Sequence, residues 1–135
     1  MGKTGYFSHR ACWRHEMGAG HPESPERLDV IEDRLLMTGV FDGVERMEAP
    51  QAAIGDVELA HDRMHVAALR GLTDRLVEEQ AAGGPEYTQI DTDTAINAHT
   101  LTAALHAAGA AVAATDAVLD GTLENAFCAI RPPGH

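Results

Sequence analysis

The stretch Asn125–His135, "NAFCAIRPPGH", decides how this chain is read. The apolar run Ala126–Ile130 shows no polar alternation, the pattern of a strand covered on both faces of a parallel sheet. Pro132 and Pro133 then fix φ, Gly134 allows a close backbone approach, and His135 follows. A strand exit braced in this way can present an imidazole with little freedom. Two readings of His135 stand side by side: a histidine placed for proton chemistry, or a frayed terminal residue.

Working back from that strand, Ala98–Leu119 is predicted to be the longest helix. Ten of the twenty residues from Ala98 to Ala117 are alanine, so this helix offers a narrow, small-residue face suited to close packing on a sheet. Leu101, Leu105, Ala108 and Val112 mark that face, and Gly121 ends the helix. Thr4–Ser8 and Val44–Glu48 read as strands. A helix is predicted from Ser24 as N-cap, with Pro25 in the first helical position, Leu28, Ile31 and Leu35 on one face, and Gly39 at its end. Asp56–Gln80 reads as two helical pieces joined near His61, with Val66, Leu69, Leu72 and Leu76 as the apolar stripe. His9–Glu23 and Glu86–Asn97 carry neither period and read as loops; long loops of this kind are functional or disordered. Strands alternating with helices predict an α/β fold with a parallel sheet, and three strands ending on an apolar one predict that the sheet is incomplete.

A length of 135 residues suits one domain. The net charge of −11 argues against nucleic acid and anionic membrane surfaces as partners and favours a cationic one. Cys12 and Cys128 are too few for a disulfide scaffold, and no secretory signal precedes them. No stretch reads as approaching the ~18 apolar residues that span a bilayer. A reduced, cytoplasmic protein without a membrane anchor is expected.

Two segments carry a resemblance. "HPESPERLDVIEDRL" (21–35) followed by "AIRPPGH" (129–135) resembles the N-terminal part of the zinc-dependent histone-deacetylase-like amidohydrolases, in their class II-like bacterial branch. This family also holds acetylpolyamine amidohydrolases and acetoin-utilization proteins. "LAHDRMHVAAL" (59–69) and "DTDTAINAHTLTAALHAAGAAVAATDAVLDG" (91–121) agree in order and spacing, so the resemblance covers the chain. It implies the three-layer arginase/deacetylase fold, with residues 1–135 as the N-terminal portion of a single domain cut inside the Pro-Pro-Gly-His motif. The family sequence continues into a second histidine and a further half that carries the metal ligands. By resemblance, then, zinc is the cofactor of the full-length protein, no primary zinc ligand is expected in this chain, and the isolated chain is expected to be inactive.

The implied reaction is hydrolysis of an acetyl amide on a lysine side chain of a peptide or on a polyamine. A zinc ion in such enzymes lowers the pKa of its bound water and polarises the carbonyl, while histidine, titrating near neutrality, moves protons. His135 matches the first of the family's tandem histidines, a catalytic residue that assists electrostatically or shares base duty. Asp91 or Asp93 matches an acidic residue that hydrogen-bonds substrate backbone at the channel mouth; a solvated or helix-capping aspartate is the alternative. His21, with Pro22 and Glu23, would line the same entrance, and also reads as a rigid lead-in to the helix.

Further residues have two readings each. His9, Cys12, His15 and His21 could form a metal set or a polar rim loop. His61 and His65, four apart, could ligate or simply pack. Trp13 could anchor the core or border the substrate. His99 and His106 are expected to flank the buried stripe of the alanine-rich helix. A non-catalytic binding or assembly module, pairing through an apolar edge strand, is the alternative to an enzyme.

Overall fold

The computed structural model describes residues 2–134; His135 lies outside the described residues. Strands β1 (Thr4–Ser8), β2 (Val44–Glu48) and β5 (Asn125–Cys128) form one parallel sheet in the order β2-β1-β5. Thr4 faces Val44 on one side and Asn125 on the other. The helices are α1 (Ala11–Arg14), α2 (Glu26–Met37), α3 (Ile54–Val57), α4 (Arg63–Ala81) and α5 (Thr100–Leu119), and a short antiparallel hairpin pairs β3 (Thr88–Gln89) with β4 (Ala95–Ile96).

Alternation along β1 sorts the core into two layers, because successive strand residues point to opposite faces. Tyr6 packs with Cys12, Leu28, Phe41 and Ala129 on the α2 side. Phe7 packs with Ala49, Ala110, Ala114 and Leu123 on the α5 side. The α2 layer is filled by large side chains, and Leu28, Ile31 and Leu35 reach it as their spacing requires. The α5 layer works through close approach. A Cβ on Gly109 would lie 1.8 Å from the Pro50 carbonyl oxygen, so only glycine fits where the segment after β2 crosses the helix. Ala52 N–H donates to Leu105 O at 2.9 Å and His106 Nδ1 to Ala49 O at 2.8 Å along that crossing.

The strands Thr4–Ser8 and Val44–Glu48 lie where the sequence places them, and Gly39 follows α2 at φ 74°. Three element boundaries, two loops and one exclusion differ from the reading above. α2 begins at Glu26, with Pro25 already helical just before it, and no side chain caps its first turn. α5 begins at Thr100 because Asn97 and Thr100 form their own cap: Asn97 N–H donates to Thr100 Oγ1 and His99 N–H to Asn97 Oδ1. The loop after β1 contains the helical turn α1, whose Ala11 N–H is held by His9 Nδ1. Glu86–Asn97 contains the hairpin. β5 ends at Cys128 and is not covered on both faces among the described residues, where Phe127 is 53% exposed. Lastly, α5 is long and apolar enough, by length and composition, to cross a membrane. Ala103, Ala107, Ala110 and Ala114 of this helix are buried, the last two against Phe7.

Candidate functional site

In open parallel sheets, ligands are received beyond the carboxyl ends of the strands. At that end of β1 and β5 the chain builds a polar cluster around Arg131, whose side chain is fully buried. Arg131 Nε donates to Glu23 Oε1 at 2.9 Å and Nη2 to Glu23 Oε2 at 2.7 Å, a bidentate pair. Its Nη1 donates to the carbonyls of Cys12, at 2.8 Å, and His15. One guanidinium thus joins the exit of β5 to three points on the loop between β1 and α2. Arg27 Nη2 adds a hydrogen bond to Ile130 O at 2.5 Å, and Ser8 Oγ one to Ala129 O at 2.8 Å. The exit leads through the cis Arg131–Pro132 peptide to Gly134, immediately before His135.

His15 stands inside this cluster, 1% exposed. Its Nδ1 is 2.8 Å from Thr100 Oγ1, and its Nε2 faces Glu23 Oε2 at 3.6 Å. Burial above all, then the Arg131 charge, pushes the His15 pKa down to about 4, so the ring is neutral near neutral pH. Burial alone would raise the Glu23 carboxyl, but the Arg131 hydrogen bonds and charge outweigh it and hold Glu23 below the usual carboxylate range.

His21 has a different task. Its Nδ1 accepts the Glu23 backbone N–H at 3.1 Å, so its Nε2 carries the proton and donates to Asp93 O at 2.9 Å. Both ring nitrogens are engaged by backbone, and the residue acts as a strut between the rim loop and the hairpin. Asp91 and Asp93 sit at the hairpin tip. Asp93 N–H donates to Asp91 Oδ1 at 3.1 Å, while Thr94 O receives the N–H groups of Ile90 and Asp91. The Asp93 N–H first, then hydrogen bonding with the Asp93 and Thr94 side chains, hold the exposed Asp91 carboxyl below its ordinary pKa. The structure therefore brings His21 and Asp93 together, with Asp91 two residues away.

The tetrad His9, Cys12, His15 and His21 does not converge, and among the described residues no three His, Cys, Asp or Glu side chains are placed to hold a metal ion. His9 stacks on His106 with ring centroids 3.4 Å apart, Cys12 is buried beneath Arg131, and His15 and His21 are engaged as described. His61 and His65 stack at 5.9 Å on the exposed start of α4. Trp13 packs against the Tyr6 layer and donates Nε1–H to Asp29 Oδ1 at 2.8 Å, an anchoring role. His99 lies immediately before α5, and its N–H is held by Asn97 Oδ1. The described residues do not fit a zinc ion.

The histone deacetylase domain model matches residues 21–135, most of the chain. The chain belongs to the histone deacetylase family. It is 37% identical over 134 residues to a probable deacetylase of Archaeoglobus fulgidus, covering 98% of this chain and 34% of that protein. It is 34% identical over 150 residues to a histone deacetylase-like amidohydrolase of Pseudomonas aeruginosa, covering 98% and 37%. The crystal structure of the HDA15 HD domain superposes with a TM-score of 0.85 at 28% identity, covering 99% of this chain and 36% of that one. The chain thus spans about a third of the length of these relatives, and its three-stranded parallel sheet is an incomplete part of the histone deacetylase fold. Arg131, Glu23 and His15 are the members of the cluster whose joint role the sequence did not reveal. The signal available was their neighbours: Glu23 and Arg131 each sit beside prolines in a stiff segment.

Proposed function

We propose that this chain is the N-terminal part of a zinc-dependent deacetylase domain that hydrolyses acetyl amides of lysine side chains or polyamines, in the cytoplasm. The observation that carries the reading is the Arg131–Glu23 pair. It anchors the strand exit leading to His135 against the rim loop that carries His21, at the carboxyl ends of the parallel strands. A bidentate pair built on a fully buried guanidinium and a mostly buried carboxylate is a costly device on a mere surface turn, and its geometric specificity suits a residue whose direction matters.

Within this reading each side chain has a task. His135 assists electrostatically or shares base duty beside the scissile amide. Asp91 or Asp93 receives substrate N–H groups at the channel mouth, and His21 with Pro22 lines that entrance. Neutral His15 adds no second positive charge next to Arg131, which would otherwise compete for Glu23. The net charge of −11 favours a cationic amine substrate. By itself the chain offers no metal site among its described residues, and it is proposed to be inactive alone.

Acetate release by the intact protein from an acetyl-lysine peptide and from an acetylpolyamine tests the reading. Activity on either substrate that disappears on chelation and returns with zinc is expected, and its rate ratio names the amine. Absence of acetate release from both would overturn it. The alternative, an assembly module, would use the open edge of β5 and its half-exposed Phe127 as a pairing surface, and would bind a partner strand without hydrolysis.

A further inference from the structure

We propose that Glu23 is a positioning residue that joins the two walls of the deacetylase site, an inference that rests on the functional reading above. Its carboxylate holds the strand exit that leads to His135; its backbone N–H holds the His21 ring, which holds the hairpin of Asp91 and Asp93.

Three links make this path. Arg131 meets the carboxylate at 2.9 and 2.7 Å, across 108 positions of sequence. Glu23 N–H meets His21 Nδ1 at 3.1 Å. His21 Nε2 meets Asp93 O at 2.9 Å, across 72 positions. The prolines after Arg131 fix local φ angles but do not orient the exit relative to the loop; only a contact of long sequence separation does that. The hairpin tip has the same need. Its remaining bonds, from Ile90 and Asp91 N–H to Thr94 O, from Asp93 N–H to Asp91 Oδ1 and from Gln89 Nε2 to Asp91 O, all stay within the hairpin. His21 ties the tip residue Asp93 to the loop after β1, beside a weaker second link from Ala95 N–H in β4 to Met17 Sδ at 3.5 Å. A glutamine at position 23 keeps the shape and the backbone link but loses the charge and one acceptor of the bidentate pair.

The test uses the intact, zinc-loaded deacetylase with an acetylated substrate, and reads kcat, KM, zinc content and hydrogen exchange of residues 88–96. Glu23→Gln is expected to lower kcat by about 10- to 100-fold at unchanged zinc content, since small misplacements of reacting groups cost this much. Glu23→Asp, keeping the charge, is expected to recover part of that loss. His21→Ala, a partly exposed site that leaves the Arg131 pair intact, is expected to speed exchange of the hairpin and to raise KM more than it lowers kcat. Unchanged kcat in a folded Glu23→Gln protein would overturn the role of the carboxylate. Unchanged hairpin exchange in His21→Ala would overturn the link to the second wall, and this variant decides the matter if Glu23→Gln fails to fold. Wild-type protein without deacetylation would instead remove the functional reading, while the exchange experiment would still decide whether the two walls are joined.

Discussion

The rim loop between β1 and α2 and the hairpin between α4 and α5 lie side by side, both polar and both without regular period in the sequence. The rim loop is fixed from beneath: Cys12 and His15 are buried, and their carbonyls share the Arg131 guanidinium. The hairpin tip is fixed from within, by short-range bonds among exposed residues, and reaches its neighbour through the His21 ring. A buried charge confers position only while every partner is present, whereas losing one bond in an exposed turn loosens it locally at little cost to global stability. The two loops should therefore respond very differently to single changes.

The largest effect is expected from Arg131→Met. It leaves the Glu23 carboxylate and the Cys12 and His15 carbonyls without their donor, and breaking a buried pair from one side costs about 3–5 kcal/mol. Denaturant unfolding measures it; a loss below about 1 kcal/mol would place the rim loop in the same class as the hairpin.

Acid should separate the loops next. His15 has a folded pKa of about 4, below its unfolded value of 6.5, so its contribution is fully present above pH 6.5 and is lost as pH falls toward 4. The shift corresponds to at most about 3 kcal/mol. Glu23, also held low, adds loss in the same direction below the ordinary glutamate range. His15→Gln should flatten the decline between pH 6.5 and 4, as followed by thermal unfolding; an unchanged slope would show that the ring is not held neutral.

Asn97 stands between the loops, capping α5 and donating Nδ2–H to Arg14 O at 2.8 Å. Asn97→Ala is expected to cost about 1–2 kcal/mol in unfolding free energy through loss of the cap and this bond. The smallest effect is expected at Asp91. Asp91→Asn at this exposed tip should leave the unfolding midpoint unchanged while raising KM for an acetylated peptide if it is the residue that meets substrate; Asp93→Asn decides the other case.

The same contrast explains how much could be read from the sequence. Periodicity revealed the α2 layer because Leu28, Ile31 and Leu35 follow from local spacing, and Gly39 follows from a helix end that needs positive φ. On α5 the stripe read from Leu101, Leu105, Ala108 and Val112 is not the one that buries. Val112 is 41% exposed while Ala103, Ala107, Ala110 and Ala114 are buried, small residues letting the helix approach closely where larger ones would hold it off. The motif at 129–135 revealed the family. The pairing of Arg131 with Glu23 did not follow from either, because 108 residues separate them and no local rule links a carboxylate to a distant guanidinium. Cys12 and His15 looked like metal-ligand types on spacing alone, yet burial beneath Arg131 gives one a packing role and the other a neutral ring. His21 is expected to line an entrance; the structure shows it bridging the loop after β1 and the hairpin, with both nitrogens engaged. The hairpin was hidden because four ladder residues separated by a polar tip carry too little alternation to register.

The most direct measurement is zinc-dependent acetate release by the intact protein with His135 replaced by alanine. A proton-handling or electrostatic partner removed from the scissile bond should lower kcat by about 100-fold or more at unchanged zinc content and fold. Full activity of His135→Ala would contradict the reading that Arg131 and Glu23 brace this strand exit for the sake of the histidine beyond it.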